Sequence, residues 1–552
     1  MKSKYIKFLV AAVVVVGSFS FADYYFEVSK NMDIFSNLYH EVNTSYVDEV
    51  EPSKLMRTCV DGMLKTLDPF TNYFSQSQIE TARIQQEGKF GGLGIDIDMM
   101  NGYPVITGVW QGRPADKAGL KVGDIIKAID GNSTKDRKKE EVEKFLIGEP
   151  NSNVNLQLER KTSITDIKVI NQTIARAEVQ ETNVPFFGMV SPTVGCIKLK
   201  IFNEHAGQDV KDAFDSLKKA NPNMSGLILD LRSNPGGLLV EAVNIVNIFV
   251  DKNQLVVNTK GKVEEWNNTF KTQNDPDDLH IPVTVLTNSM SASASEIVSG
   301  SLQDYDRAVI IGQKTYGKGL VQVTKPLSYN TMLKVTTAKY YIPSGRCIQA
   351  LIYAERNADG SVKHVPDSLK KPFTTKNGRQ VWDGGGIDPD VVLPKPEHSK
   401  VAESLASANL IFDFATYYTL QHPAIEDPAA FHLSDKDFAD FVAFVKDKPW
   451  DSKSLSEEKL EALKDAATEE KYFDAVKGQY EAIRQKLQHS KEQDVNEHKA
   501  EIITVLENEI VGRYYYAYGK VKKSYQNDPE VTKALQVLAD KQQYNALLTA
   551  KK

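Results

Sequence analysis

Two short segments of this chain contain side chains that could perform nucleophilic catalysis. Residues 288–296 read NSMSASASE, so four serines separated by single residues stand where a helix should begin after an apolar run. Residues 315–320 read TYGKGL, which places Lys318 between two glycines. A serine at a helix N-terminus usually caps the helix. The same position also suits a nucleophile, because backbone N–H groups and the positive helix end stabilise a developing oxyanion.

A serine nucleophile needs a base, and lysine is the candidate in this sequence. None of the nine histidines lies in a motif that marks a Ser-His-Asp triad, and there is no Gly-x-Ser-x-Gly elbow. A lysine can act as the base when burial lowers its pKa so that it is neutral. Two Ser-x-x-Lys strings, Ser216–Lys219 and Ser368–Lys371, lie in polar stretches and are interpreted as coincidences. Lys318 is the better candidate, since its alternative role as a phosphate contact lacks a surrounding Walker pattern.

The composition is that of a water-soluble protein with several domains. At about 150 residues per domain, 552 residues are too many for one core. Charged residues at 25% and apolar residues at 41% exclude a polytopic membrane protein, a collagen-like chain and a wholly disordered one. The net charge of −6 gives no reason to expect a nucleic-acid partner. Cys59, Cys196 and Cys347 form neither a metal spacing nor a disulfide framework, so we expect no bridge and no metal site.

Residues 1–22 differ from the rest and are interpreted as a signal peptide. Three lysines within the first seven residues precede an apolar run from Phe8 to Phe21. That run is shorter than the roughly 20 residues needed to span a bilayer, and a small-x-small cleavage pattern precedes Asp23. The alternative is an uncleaved anchor, which would then be the only membrane contact expected. Both interpretations place the protein in a periplasmic or other extracytoplasmic compartment.

Four regions that differ in residue composition and spacing follow this segment. Met32, Phe35 and Leu38 recur at helical spacing, which predicts an N-terminal helical region over 23–80. Glycines and β-branched residues then predict a β-rich module over 85–172. Short apolar strands alternate with helical stretches over 176–395, which indicates an α/β core. From 396 to 552, interspersed Lys and Glu without a long block of one sign predict a helical extension.

The β-rich module contains three distinctive motifs: GGLGIDI at 91–97, PADKAGL at 114–120 and the glycine-bounded GDIIKAIDG at 123–131. In these motifs it resembles a PDZ domain. In that family, the segment equivalent to Gly92, Leu93, Gly94 and Ile95 offers backbone N–H groups to the terminal carboxylate of a peptide. The peptide then adds as a strand to the sheet edge. A glycine-rich structural turn is the alternative interpretation of this loop.

Seven short motifs occur in a definite order along the chain. They are DP at 68–69, LDLRSNPGG at 229–237, SASASEI at 291–297, QD at 303–304, GKG at 317–319, PSGR at 343–346 and GIDPD at 386–390. Over about residues 30–395 the chain thus resembles the carboxy-terminal processing (tail-specific) peptidases. The resemblance implies a multi-domain α/β (α+β) fold. N-terminal helices and an inserted PDZ-like module would precede a peptidase core of the crotonase/Clp-like type, followed by the helical extension.

The resemblance also assigns roles to individual residues. The family's nucleophile falls on Ser293 and its general base on Lys318, and Gln322 would hold the lysine by a hydrogen bond. The oxyanion donors would be the N–H groups of Ala294 and Gly237, with Gly236 as a near alternative. Asp304 matches a position where the family carries an acid. Three helical turns separate it from the serine, so it cannot touch the nucleophile, and we interpret it as structural or as an indirect support of the site.

These assignments predict a secreted serine endopeptidase that recognises the free C-terminus of protein substrates and cleaves near it. The resemblance implies no cofactor and no metal, and it leaves open a homo-oligomer or an adaptor protein as partner. The extension is expected to serve packing or oligomerisation. The main alternative is a catalytically silent PDZ-containing binding or scaffold protein, which would be expected to lack the serine or the lysine. A Ser/Lys hydrolase acting on cell-wall peptides through Ser-x-x-Lys is a third interpretation.

Overall fold

The computed structural model describes residues 25–76, 78–79, 89–357, 359–451, 453–487 and 491–550. The expected signal peptide lies outside these residues. Across the ranges described, no helix has both the length and the apolar character that a membrane span requires. The chain divides into two compact units, of which the smaller contains the described residues up to Ser75 together with Val323–Thr336.

The smaller unit contains two helices, both within the region 23–80 that is predicted to be helical. One runs from residue 25 to residue 45, and the other is Pro52–Lys65. Asp68 ends this helical region because its carboxylate accepts the N–H groups of Phe70 and Thr71, both at 2.8 Å. A short strand, Asn72–Phe74, then pairs antiparallel with residues 332–334.

The larger unit begins with the PDZ-like module, which a two-stranded ribbon frames. Lys89–Gly92 and Ala177–Gln180 pair antiparallel, so the chain enters and leaves the module side by side. The module's sheet has five main strands, in the order Ile95–Met100, Tyr103–Val109, Ile125–Ile129, Asn153–Lys161 and Ile167–Ala175, with Asn132–Ser133 paired to the third. Helices Pro114–Lys117 and Lys139–Leu146 complete it.

A six-stranded sheet forms the centre of the larger unit. Its order is Phe186–Met189, Val194–Lys198, Gly226–Asp230, Val283–Thr287, Ala308–Gly312 and Val391–Val392. The first pair is antiparallel and all others are parallel. The central strands are buried on both faces, as parallel strands usually are.

Helices cover both faces of this sheet. Ile197 and Leu229 face helices Ala206–Ala220, Leu239–Phe249 and Ala294–Asp304. Their neighbours Cys196 and Ile228 point to the opposite face, as the pleat requires. That face packs against helices Pro529–Ala539 and Lys541–Leu547 of the C-terminal extension. The extension is thus helical, as predicted, and its last helices form the third layer of the peptidase-like core.

The remaining elements complete the core and the extension. Strands Leu255–Gly261, Thr269–Lys271, Leu320–Leu327 and Thr331–Tyr341 form a second sheet, and two small hairpins follow at Leu351–Arg356 with Val362–His364 and at Pro372–Thr374 with Gln380–Trp382. The other helices of the extension are Lys400–Ser407, Leu410–Gln421, Asp435–Val445, Leu455–Glu469, Phe473–Leu487, Lys491–Glu497 and Lys499–Ser524. Several of these helices share an apolar core of their own, which includes Phe414, Phe441 and Leu506.

Candidate active site

Three loops that leave the carboxyl ends of adjacent parallel strands meet at one edge of the central sheet. The loop after Gly226–Asp230 leads to Gly237, the loop after Val283–Thr287 leads to Ser293, and the loop after Ala308–Gly312 leads to Lys318. Ligands and reacting groups of open parallel sheets gather at this edge. The fold therefore brings the serine and lysine segments, which are distant in sequence, to one place.

Ser293 lies at a strained turn between strand and helix. Its backbone has φ 58° and ψ −114°, a combination that a residue with a side chain rarely adopts. Helix Ala294–Asp304 begins directly after it, and the N–H of Ser293 donates to the carboxylate of Glu296 at 2.8 Å. Gly236 packs beneath this turn, since a Cβ there would lie 2.7 Å from the Cβ of Ser293. The local geometry is that of a nucleophile elbow, although the sequence carries no such motif.

The flanking serines, Ser291 and Ser295, tie this turn to the neighbouring loop. The hydroxyl of Ser291 donates to the carbonyl of Leu231 at 2.8 Å, and that of Ser295 donates to the carbonyl of Asn234 at 2.9 Å. Both serines are buried. Of the three serines in SASAS, only Ser293 is partly exposed.

The two glycines beside Lys318 allow its loop to pack closely. Gly317 has φ 86°, and a Cβ there would lie 2.4 Å from the Cβ of Ala350. The N–H of Gly319 donates to the side-chain oxygen of Gln349 at 2.7 Å. Lys318 itself is half-buried, between two buried glycines.

Glu296 joins the serine turn to the lysine loop. One carboxylate oxygen accepts the N–H groups of Ser293 at 2.8 Å and Lys318 at 2.9 Å, so these two nitrogens lie no more than about 6 Å apart. The other oxygen accepts the hydroxyl of Thr315 at 2.6 Å and the N–H of Gly317 at 2.7 Å. Burial raises the pKa of Glu296 to about 7, and these four hydrogen bonds oppose the rise.

The sequence analysis assigned no role to Glu296, although its spacing from Ser293 could have indicated one. A glutamate three residues after a serine has the spacing of a capping box. The hydroxyl of Tyr340 was also missed, and nothing in the local sequence indicates it. That hydroxyl lies 3.1 Å from the carbonyl oxygen of Ser293 and within hydrogen-bonding reach of the carbonyl of Lys318. Burial raises the pKa of Tyr340 well above its ordinary value, so it stays a neutral donor.

Two backbone donors remain beside Ser293. The N–H of Gly236 is occupied, because it donates to the side-chain oxygen of Asn234 at 2.9 Å. Gly237, by contrast, is exposed, with φ 147°. Among the described residues, neither the N–H of Gly237 nor that of Ala294 has a hydrogen-bond acceptor. Of the alternatives open in the sequence, the geometry thus favours Gly237 over Gly236 as the second oxyanion donor.

Comparison with known proteins identifies the family. The model of peptidase family S41 matches residues 193–353, a PDZ model matches 105–160, and the model of the C-terminal helical domain of probable PDZ-proteases matches 401–538. The carboxy-terminal-processing protease of Bartonella bacilliformis is 34% identical over 328 residues, which are 58% of this chain and 73% of that protein. This chain belongs to the carboxy-terminal-processing protease family.

One further relative by sequence and one solved structure match different shares of this chain. A probable CtpA-like serine protease of Staphylococcus aureus is 34% identical over 324 residues, which are 58% of this chain and 62% of that protein. This chain therefore spans less than two thirds of the length of that relative. Among solved structures, the photosystem II D1 C-terminal processing protease is 26% identical and covers 65% of this chain and 92% of its own, with a TM-score of 0.35.

Gln322 and Asp304 are the other two residues that the family motifs single out. Gln322 lies on the strand Leu320–Leu327, directly after the lysine loop, and its hydrogen bond to Lys318 stays a prediction. Asp304 ends the helix that Ser293 begins, and it forms a buried ion pair with Arg346 at 2.9 Å. Its expected structural role agrees with this contact.

In the PDZ-like module, the loop predicted to bind the terminus of a peptide lies at the start of an edge strand. Strand Ile95–Met100 has the module's sheet on one side, and its other edge pairs with no strand in the described ranges. The carbonyls of Leu93 and Gly94 accept the N–H groups of Ala115 and Trp110, both at 2.9 Å. The N–H groups of Leu93 and Gly94 themselves have no acceptor within the described chain. Free N–H groups beside an open sheet edge are what binding of a peptide terminus requires.

No group of three or more His, Cys, Asp or Glu side chains is placed to bind a metal ion in the part of the chain that the structure describes.

Proposed function

We propose that this chain is a serine endopeptidase in which Ser293 is the nucleophile and Lys318 the general base. The observation that carries the proposal is the shared carboxylate of Glu296, which binds the backbone N–H groups of both residues. Family membership supports it, since the motifs that carry the resemblance assign the nucleophile to Ser293 and the base to Lys318. A chain selected only for binding would have no need to fix these two segments against each other.

The proposed reaction has two halves. The Oγ of Ser293 attacks the carbonyl carbon of the scissile peptide while its proton passes to the neutral amine of Lys318. The N–H groups of Gly237 and Ala294 stabilise the resulting oxyanion. The tetrahedral intermediate then expels the amine, which takes the proton from the lysine, and an ester on Ser293 remains. Water attacks this ester with Lys318 again as base, and the acid product leaves with the serine restored.

We further propose that substrates are recognised by their free C-terminus. The N–H groups of Leu93 and Gly94 would bind the terminal carboxylate through charge-assisted hydrogen bonds. The peptide would extend along the open edge of Ile95–Met100. Gly94 has φ 74°, and a Cβ there would lie 2.5 Å from the Cβ of Arg113, so only glycine fits. The partners in this proposal are proteins with accessible tails.

We place this activity outside the cytoplasm. The support is the basic and apolar segment at residues 1–22, which has the composition of a secretory signal. Substrates would then be proteins of the periplasm or of an equivalent compartment. Fractionation of cells that express the full chain tests this point, and recovery in the cytosolic fraction would contradict it.

Cleavage of matched peptides tests the dyad. The wild type, Ser293→Ala and Lys318→Ala are incubated with a peptide that ends in a free acid and with its C-terminal amide. Both variants should lose at least about 1,000-fold in rate, as is usual when one member of such a unit is removed. Ser289→Ala and Lys314→Ala are the controls, because both side chains are exposed and lie in the same two loops.

The outcomes separate the two parts of the proposal. Normal cleavage by Lys318→Ala would reject the dyad, and binding without any cleavage by the wild type would favour the silent binding protein. Equal rates for the acid and the amide would reject recognition of the free tail while leaving the dyad intact. Gly94→Val should lower the rate on the acid to that on the amide.

A further inference from the structure

We infer that the C-terminal helical extension completes the active site, through two acidic positioning residues, Asp528 and Glu530. Both bind Arg232, which begins the loop that ends in the proposed oxyanion donor Gly237. The inference rests on the proposed function for its effect on catalysis. Its effect on the loop is independent of that function.

The first turn of the helix Pro529–Ala539 is directed at Arg232. One carboxylate oxygen of Asp528 caps this helix by accepting the N–H groups of Glu530 at 2.8 Å and Val531 at 3.0 Å. Its other oxygen accepts from a terminal nitrogen of Arg232 at 2.6 Å, and the carboxylate of Glu530 accepts from the same nitrogen at 2.5 Å. Capping alone would be served equally well by asparagine, so the charge of Asp528 has a separate use.

Arg232 is enclosed by acceptors on its other side as well. Its Nε and second terminal nitrogen donate to Asp230 at 2.9 and 2.8 Å, and the hydroxyl of Tyr525 donates to Asp230 at 2.7 Å. We call these five residues the Arg232 cluster: Asp230, Arg232, Tyr525, Asp528 and Glu530. The arginine side chain is only 14% exposed and Asp230 is fully buried, so these are charges that need partners. Three of the five members belong to the extension.

The two residues that follow Arg232 in the chain are hydrogen-bonded to the segment that carries the proposed nucleophile. The N–H of Ser233 donates to the side chain of Asn288 at 2.9 Å, in the segment that leads to the nucleophile. Asn234 receives the N–H of Gly236 on its side chain and the hydroxyl of Ser295 on its carbonyl. A shift of Arg232 would therefore move the loop that presents the N–H of Gly237.

Glu530 also binds the loop that leads to the proposed base, Lys318. Its other carboxylate oxygen accepts from the side-chain amide of Gln313, which stands five residues before Lys318. Gln313 in turn is fixed to the end of the neighbouring strand, because its N–H donates to the carbonyl of Thr287 at 2.9 Å. One carboxylate of the extension thus binds both the oxyanion loop and the base loop where they leave the sheet.

The test is the double variant Asp528→Asn with Glu530→Gln, made in the full chain. Asparagine keeps the helix cap and glutamine keeps the side-chain size, so the variant removes mainly the two charges on Arg232. Glu509→Gln is the matched control. Glu509 lies in the same extension and binds Arg513 at 2.7 Å, but it does not contact the Arg232 cluster.

Three readouts separate positioning from general stability. Hydrogen exchange of residues 231–238 should speed up in the double variant and not in the control. The kcat for a peptide acid should fall about 10- to 100-fold while KM stays within about threefold, because only transition-state binding is impaired. The Ki of a peptide boronate, which forms a tetrahedral adduct with serine nucleophiles, should rise by the same factor as kcat falls.

The outcomes bear separately on the inference and on the proposed function. Unchanged exchange in the loop overturns the inference, whatever the activity. Faster exchange with unchanged kcat, or an equal loss of kcat in Glu509→Gln, also overturns it, since the extension would then serve stability alone. If the wild-type activity survives Ser293→Ala, the proposed function fails, and the exchange measurement still decides whether the extension positions the loop.

Discussion

Replacing Glu296 by glutamine isolates the charge that joins the serine turn to the lysine loop. The change keeps the size and shape of the side chain. The carboxylate accepts four donors, two on each oxygen. An amide offers one accepting oxygen and one NH₂ group, so it cannot accept all four donors. If the NH₂ group faces Ser293 and Lys318, both backbone N–H groups lose their acceptor. If it faces Thr315 and Gly317, the Thr315 hydroxyl can accept from it, but the N–H of Gly317, next to Lys318, loses its acceptor.

The stability effect of this change follows from the charge that glutamine removes. The pKa of Glu296, raised to about 7 by burial, already includes the opposing effect of its four hydrogen bonds. Keeping the ionised group in the native state therefore costs about 3 kcal/mol at pH 8. Glutamine is neutral and avoids this cost, so the variant should be at least as stable as the wild type at pH 8. Catalysis should nevertheless be impaired, because a misplacement of about 1 Å can reduce the rate about 100-fold.

The stability effect should also depend on pH, with a defined sign. The native state binds the proton of Glu296 more tightly than the unfolded state does, since its native pKa is raised. The corresponding stability is fully present below the ordinary glutamate pKa and is lost as the pH rises to about 7. Glutamine does not titrate. Relative to the wild type, the variant should therefore be less stable at pH 5 than at pH 8, by about 2–3 kcal/mol.

Urea unfolding of both proteins at pH 5 and pH 8, with peptide cleavage at pH 8, measures these quantities. Glu457→Gln is the control, because Glu457 makes the same capping contact with the N–H of Ser454, at 2.7 Å, far from the site. It should keep full activity. A kcat of Glu296→Gln within threefold of the wild type would refute the positioning argument, and an unchanged stability gap between the two pH values would refute the argument from burial.

Two other substitutions test single contacts of the site. Gly237→Ala should lower kcat at least about 100-fold in the peptide assay, because its Cβ would lie 2.3 Å from the carbonyl oxygen of Phe202 and displace the N–H; normal kcat would remove Gly237 from the oxyanion site. Tyr340→Phe deletes the hydroxyl between the carbonyls of Ser293 and Lys318, so urea unfolding should show a loss of about 1–3 kcal/mol and kcat should fall about tenfold. Loss of stability with unchanged kcat would show that this hydroxyl does not position the pair.

The local sequence predicted those parts of the molecule that short-range patterns determine. The helix after Ser293 and the buried strands before the three loops follow from apolar runs and from small residues at turns. The apolar-rich segment 194–202 is longer than the observed strand Val194–Lys198, because the residues after Lys198 turn away from the sheet and Phe202 pairs with Gly237.

Contacts between distant segments could not be predicted in this way. Arg232 and Asp528 are almost 300 residues apart, and a single helical pattern does not say which surface its apolar face will cover. A strand buried on both faces also has no alternation that separates the two faces, so Cys196 and Ile197 look alike in the sequence although they face different helices. Tyr340 belongs to the same class, since only the folded sheet brings its hydroxyl to the site.

The ribbon that frames the PDZ-like module has a consequence for the exchange of domains. Gly92 stands opposite Ala177, so the module is inserted between two chain positions that are neighbours in space. Insertions at such positions disturb the host fold little, because the ends to be joined already meet. A two-residue turn of the Asn-Gly type could close the ribbon as an ordinary hairpin. The recognition module can thus be deleted, or replaced by another whose termini are adjacent, without cutting any strand of the peptidase-like sheet.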